Sequence, residues 1–195
     1  MQELGEEHLE TAKLVLQYFK GNSGQGILLQ SDSILKIVAY CDSEWGAYPI
    51  TRKSFTGYFV TLGGSPIFWR TKKQTTVSRS SVEKEHRAMA TVISDQIWIR
   101  SFLASIRVFV KIPMQLFCDN QAALHIAKNS IFHVRTKHIE IDCHIILEQL
   151  LSGELITGYV PSKQQVADIF TKALGKQQIL FLRSNLGIFN PDAPT

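Results

Sequence analysis

The feature that most constrains this chain is Ile37-Val-Ala-Tyr-Cys41, an unbroken apolar run that ends on the carboxylate of Asp42. Continuous rather than alternating apolar character predicts a strand buried on both faces. A carboxylate at the end of such a strand loses much of its hydration, which is costly unless a cation or hydrogen-bond donors replace the water. Three further acids stand beside helix or strand termini: Glu85, Asp119 and Asp168. A fold that gathers all four makes a magnesium site.

The order of elements around these acids is legible. Residues 8–20 place Ala12, Val15, Leu16 and Phe19 on one helical stripe, and Gly21 offers a stop, which reads as a leading helix outside the main core. Phe55 to Leu62 and Pro66 to Arg70 are β-rich runs separated by Gly63-Gly64, a hairpin signal that makes an antiparallel meander with the first strand. Ser80 with Glu83 fits a capping box opening a long helix, whose apolar stripe includes Met89, Val92 and Ile93. Glu83 is accounted for by the cap, so Glu85 is the glutamate aimed at the sheet; a surface pair with Lys84 or Arg87 is the commoner fate of such a residue. Pro113 to Cys118 is a fourth strand ended by Asp119, with a helix from Ala122 to Lys128. An aspartate there is also a routine helix N-cap. A helix reaching Leu151, a fifth strand from Glu154 to Val160 and a helix from Gln164 to Leu174 complete the order. Asp168 sits near the first turn of that last helix, with Lys172 as its i,i+4 partner. Residues after about Gly187 read as a frayed tail.

Composition narrows the class. The 195 residues suffice for one core with an appended segment, and with 45% hydrophobic and 19% charged residues the chain is not disordered on compositional grounds. No run of about 18 apolar residues exists to span a bilayer. The acidic N-terminus lacks the pattern of a secretory signal, and Cys41, Cys118 and Cys143 read as reduced thiols, so an intracellular location, cytoplasmic or nuclear, is expected. The net charge is +4, clustered at Arg70, Lys72, Lys73 and Arg79, at Arg135 and Lys137, and at Lys172, Lys176 and Arg183. Such clusters suit a phosphate backbone, with an ordinary solvated surface as the equal alternative. His133, His138, Asp142, Cys143 and His144 suggest zinc, but the second close ligand pair of a structural site is missing, so a basic loop with His138 facing a phosphate is the better reading.

The sequence of elements resembles the ribonuclease H fold, a mixed five-stranded α/β sheet, three strands antiparallel and then two parallel, flanked by helices. The wording narrows it further. Tyr40-Cys-Asp-Ser-Glu-Trp45, Arg52-Lys-Ser-Phe-Thr-Gly-Tyr58, Lys72-Lys-Gln74, Ser80-Ser-Val-Glu-Lys-Glu-His-Arg-Ala88, Cys118-Asp-Asn-Gln-Ala-Ala123, Arg135-Thr-Lys-His-Ile-Glu-Ile-Asp142 and Ala167-Asp-Ile-Phe-Thr-Lys172 are similar to successive blocks of the ribonuclease H domain at the C-terminal end of copia-type retrotransposon Pol polyproteins. Residues 1–34 then correspond to the connection after the reverse transcriptase region, 35–187 to the ribonuclease H-like domain and 188–195 to a tail.

This resemblance implies an endonuclease that cuts the RNA strand of RNA–DNA hybrids during reverse transcription, with Asp42, Glu85, Asp119 and Asp168 as catalytic metal ligands for two Mg²⁺ or Mn²⁺ ions. It places Ser80, Asn120 and Gln121 near the hybrid, with Lys73, Arg79, Arg135, Lys137 and His138 on its phosphates. The implied partners are the hybrid and the upstream reverse transcriptase domain, with no membrane, in the cytoplasm (virus-like particle) or nucleus. Cellular ribonucleases H carry a histidine in the loop before the last aspartate; here that loop is Pro161-Ser-Lys-Gln-Gln-Val166, as copia-type domains also lack the residue. Two alternatives stand beside this expectation: a catalytically silent relic that binds nucleic acid or a protein partner, and a DNA-cutting member of the same superfamily.

Overall fold

The computed structural model describes residues 5–22, 24–44, 50–129 and 140–189. Helix α1 (Glu6–Gly21) leads the chain and buries none of its side chains. A short strand β1 (Gly26–Ile27) precedes the central strand β2 (Ile37–Glu44) and the hairpin of β3 (Phe55–Leu62) and β4 (Ser65–Lys73). The hairpin turns on Gly63 and Gly64, both with positive φ (59° and 85°), a conformation that costs glycine little. The long helix α2 (Ser81–Ser105), strand β5 (Met114–Cys118), helix α3 (Gln121–Lys128), helix α4 (Glu140–Leu151) and strand β6 (Leu155–Tyr159) follow. Two 3₁₀ turns (Ser162–Gln164 and Val166–Phe170), helix α5 (Lys176–Asn185) and strand β7 (Ile188–Phe189) close the described chain.

The main sheet has the order β4-β3-β2-β5-β6. Strands β2, β3 and β4 pair antiparallel, and β2–β5 and β5–β6 pair parallel, the mixed five-stranded arrangement expected from the sequence. Alternate residues of the two middle strands divide between two cores. Ile37, Ala39, Cys41, Tyr58 and Val60 join the α2 side, with Met89, Val92 and Ile93 fully buried against them. Tyr40 and Phe59 face the other way, toward Val166, Phe170 and Leu186. Helices or turns thus cover both faces of β2, which explains its unbroken apolar sequence.

Three expectations need correction. Asp42 does not end its strand: β2 runs on to Glu44 because β3 continues to pair with it, Asp42 opposite Gly57 and Ser43 opposite Thr56. Its pairing with β5 on the other side ends at Tyr40–Phe117, so Asp42 sits where the sheet opens. The helix expected over 164–174 is instead the second 3₁₀ turn followed by a loop, with α-helix resuming only at Lys176. The buried Gln165 side chain explains the break, donating to the Cys41 carbonyl (2.9 Å) and accepting from the Ala167 N–H (3.3 Å), so that it anchors the turn to β2. Finally, Ile188 and Phe189, placed at the start of a frayed tail, pair antiparallel with Ile27 and Gly26. A two-residue strand leaves no periodicity to read.

Candidate metal centre

Local chemistry frees each acid for the site. Asn120, and not Asp119, caps α3: its Oδ1 accepts from the Ala123 N–H at 2.9 Å. Asp119 is left to turn elsewhere, and its Oδ2 accepts from Ser162 Oγ at 2.8 Å. Ser80 caps α2 by accepting from the Glu83 N–H (3.1 Å). The return half of the expected capping box goes one residue earlier, with Glu83 Oε2 accepting from the Arg79 N–H at 2.7 Å while Oε1 pairs with Arg87. Glu83 is thereby occupied on the outside of the helix, and Glu85 faces the core side.

Asp42, Glu85 and Asp119 converge so that one carboxylate oxygen from each lies within 4.8 Å of the others. Among the described residues this is the one cluster of three or more side chains able to hold a metal ion. Asp42 and Glu85 are 2% and 3% exposed, so the cluster lies at the bottom of its site. Asp168 is 5% exposed and reaches the cluster through Lys172, whose Nζ donates to Asp168 Oδ1 at 2.7 Å and to Asp42 Oδ1 at 3.2 Å. Thr171 Oγ1 donates to the second oxygen of Asp42. Lys84 pairs with Glu85 at 3.0 Å and also donates to the Ser43 carbonyl. The pairing of Glu85 with Lys84 read from the sequence is therefore present, but as a buried contact.

The second 3₁₀ turn can approach β2 because of a glycine. A Cβ on Gly57, opposite Asp42, would lie 2.5 Å from Thr171 Cγ2, 2.8 Å from Phe170 Cβ and 3.2 Å from the Ala167 carbonyl. Thr71 Oγ1 on β4 ties the same segment down by donating to the Phe170 carbonyl at 2.9 Å.

The electrostatics show a site short of positive charge. Burial pushes Glu85 up to about 7, with the charges of Asp42 and Asp119 adding and Lys84 opposing. Burial likewise raises Asp168 to about 6, opposed by the Lys172 hydrogen bond and reinforced by Asp42. Burial alone would lower the Lys172 pKa, but the hydrogen bond it donates to Asp168 and the charges of both acids outweigh it and hold the ammonium above its ordinary range. Beneath the acids, the Cys41 thiol is raised by its hydrogen bond with Cys118 and by burial, and both cysteines are free and buried in the core. All-oxygen donors, most of them dehydrated and mutually repelling, fit a hard divalent cation such as Mg²⁺ or Mn²⁺.

A polar cavity of about 520 Å³ is lined by Lys72, Lys73, Arg79, Arg87, Thr56, Glu83 and Asp142 among others. Its floor is fixed by Gln74, whose Nε2 donates to Thr56 Oγ1 and to the Lys84 carbonyl, both at 3.0 Å, and whose Oε1 accepts from Ser78 at 3.0 Å. The expected substrate residues are thus divided. Lys73 and Arg79 line the cavity, Gln121 is exposed at the start of α3, and the Ser80 and Asn120 side chains are engaged as helix caps. Arg135, Lys137 and His138 lie outside the described residues, as does His133, while Asp142, Cys143 and His144 lie on α4. Thr171, Ser162 and Gln165 were not singled out from the sequence. Their only signal is proximity to Asp168, since contacts across 43 to 129 residues leave no local pattern.

A mixed sheet of this order, with acids gathered at the opening beside its central strand, is the ribonuclease H-like fold. The foamy viral protease-reverse transcriptase, solved in complex with double-stranded DNA, has a TM-score of 0.50 over 81% of this chain and 25% of that one, at 14% identity. The N-terminal RNase H domain of rv2228c from Mycobacterium tuberculosis gives 0.47 over 77% of this chain and 97% of that one, at 11% identity. No protein-family model matches the chain.

Relatives that match over 94% of the chain are retrovirus-related Pol polyproteins of the copia type. The chain is 38% identical over 183 residues to that of transposon RE1 from Arabidopsis thaliana and 32% identical over 185 residues to that of transposon TNT 1-94 from Nicotiana tabacum. Each match covers 94% of this chain but only 12% and 14% of the respective polyprotein, so the chain spans about an eighth of the length of these relatives.

Proposed function

We propose that this chain is a divalent-metal-dependent endonuclease that hydrolyses the RNA strand of RNA–DNA hybrids, as one part of retrotransposon reverse transcription. The observation that carries the proposal is the convergence of Asp42, Glu85 and Asp119 from three separate elements, with Asp168 joined to them through one lysine. In this reading Asp42, Glu85 and Asp119 would hold one of two Mg²⁺ or Mn²⁺ ions, and Asp42 with Asp168 would hold the other. Bound there, such ions supply a water nucleophile at neutral pH and stabilise the leaving oxygen of an in-line phosphodiester displacement.

The protein's own residues supply position and charge. Thr171 and Ser162 orient the carboxylates of Asp42 and Asp119 by hydrogen bonds. Lys72, Lys73, Arg79 and Arg87, around the polar cavity, offer cations to the phosphates of a bound strand, while Gln121 offers an amide to the sugar face. Residues 1–34 would form a connection to an upstream reverse transcriptase domain, and the cytoplasm or nucleus would be the place of action.

The test is cleavage of a labelled RNA–DNA hybrid in Mg²⁺ or Mn²⁺, with duplex RNA and duplex DNA as controls and Asp42→Asn run alongside. Cutting confined to the hybrid's RNA, and lost in the variant, is the expected outcome. A folded native protein that leaves the hybrid intact in both metals defeats the proposal and points to a silent binding module. Cutting of duplex DNA would move the chain to the DNA-processing members of the superfamily.

A further inference from the structure

We propose that Lys172 is a resident counter-cation of the Asp42–Asp168 pair, and that a divalent ion gains that pair only by displacing its ammonium group. The inference rests on the metal-site reading above and concerns how the site fills. One nitrogen lies 2.7 Å from Asp168 and 3.2 Å from Asp42, two acids with almost no access to water, while the Lys172 side chain is 33% exposed. The lysine therefore enters from the solvent side and closes the two carboxylates over a single positive charge.

An ordinary i,i+4 surface pair would engage Asp168 alone. Bridging to Asp42, 130 residues away, sets this contact apart. The Lys172 N–H is itself fixed to the Asp168 carbonyl at 2.9 Å, so the backbone stays while the flexible stem can carry the ammonium away. By contrast, the Asp42–Glu85–Asp119 cluster already has one oxygen from each acid within 4.8 Å, and Lys84 pairs with Glu85 alone among the described ion pairs. The two positions are thus unequal. A cation takes the three-acid position first, and the Asp42–Asp168 position follows at higher concentration, when Lys172 withdraws.

Two measurements test this. The first is calorimetric titration of the metal-free protein with Mn²⁺, comparing native, Lys172→Met and Asp42→Asn chains. Lys172→Met should tighten the weaker of two binding steps by roughly tenfold, the scale of a typical coupling between sites. An unchanged or weakened step, with binding in the native protein still abolished by Asp42→Asn, overturns the role of Lys172 and leaves the metal site standing. Absence of any Asp42-dependent binding overturns both together.

The second uses the native protein only and decides the matter should the variant not fold. Acetylation of Lys172 by acetic anhydride, read by mass spectrometry, should rise several-fold when Mn²⁺ is added to saturation. Labelling that is unchanged or reduced by Mn²⁺ overturns the proposal.

Discussion

Asp42 and Glu85 occupy an environment that suits them only when positive charge is nearby. In the metal-free protein Glu85 has its pKa raised from 4.5 to about 7 by burial and by Asp42 and Asp119. A raised acid favours the protonated native state, so this residue's destabilisation is absent below the unfolded pKa, grows as pH rises from about 4.5, and is complete above about 7. Asp168, raised to about 6, acts in the same direction, while Lys172 titrates above this window. Urea denaturation in EDTA should therefore show lower stability at pH 8 than at pH 5. Glu85→Gln should remove much of that slope, by up to about 3 kcal/mol. A flat native profile would show that Lys84 and Lys172 already neutralise the cluster. Asp119→Asn should abolish the tighter divalent-binding step yet leave the metal-free fold intact, because Asn120 and not Asp119 caps the helix.

The turns and helix ends decide at the level of elements whether the acids meet. Asn120→Ala removes the α3 cap and should cost about 1 kcal/mol of stability in a denaturation curve. Ser80→Ala should cost about the same at α2. Gly57→Ala should act differently. Its added methyl would collide with Thr171 and Phe170, so the 3₁₀ segment bearing Asp168 must retreat from Asp42. The expected result is a loss of about 1–3 kcal/mol together with weaker Mn²⁺ binding. Retention of native metal affinity in that variant would show that the segment accommodates the methyl without moving the acids. The clash is specific to β3 opposite Asp42, and nothing in the local sequence Phe55-Thr-Gly-Tyr58 announces it.

Over the whole molecule, charge and metal link stability to function. If magnesium binds the native arrangement of acids and not the unfolded chain, it should raise the melting temperature, more at pH 8 than at pH 5 because protons compete for Glu85 and Asp168. At a concentration of about 100 Kd the gain should be about 2.7 kcal/mol. If the basic cavity takes nucleic-acid phosphates, hybrid binding should weaken steeply with salt, and Lys73→Ala should lower the salt slope by about one ion. Helix α1 exposes Leu9, Leu14, Leu16 and Phe19 and buries none of its residues, so it adds little to the core it precedes. No helix among the described residues is long and apolar enough to cross a membrane.

The sequence by itself determined the succession of strands and helices and the two-faced burial of β2, because these are written in local periodicity, while short blocks such as Cys118-Asp-Asn-Gln121 carried the resemblance that implied the mixed sheet and nominated the acids. It also placed Ser80 correctly as a helix cap, since a cap bonds within its own turn. Tertiary structure alone decided that β2 continues past Asp42, that Asp168 stands on a 3₁₀ turn, and that Lys172 shares its ammonium between Asp168 and Asp42. The physical reason is range. A helix or strand is stabilised by neighbours a few residues away, whereas Gln165–Cys41, Ser162–Asp119 and Lys172–Asp42 join residues that only the closed sheet brings within hydrogen-bonding distance.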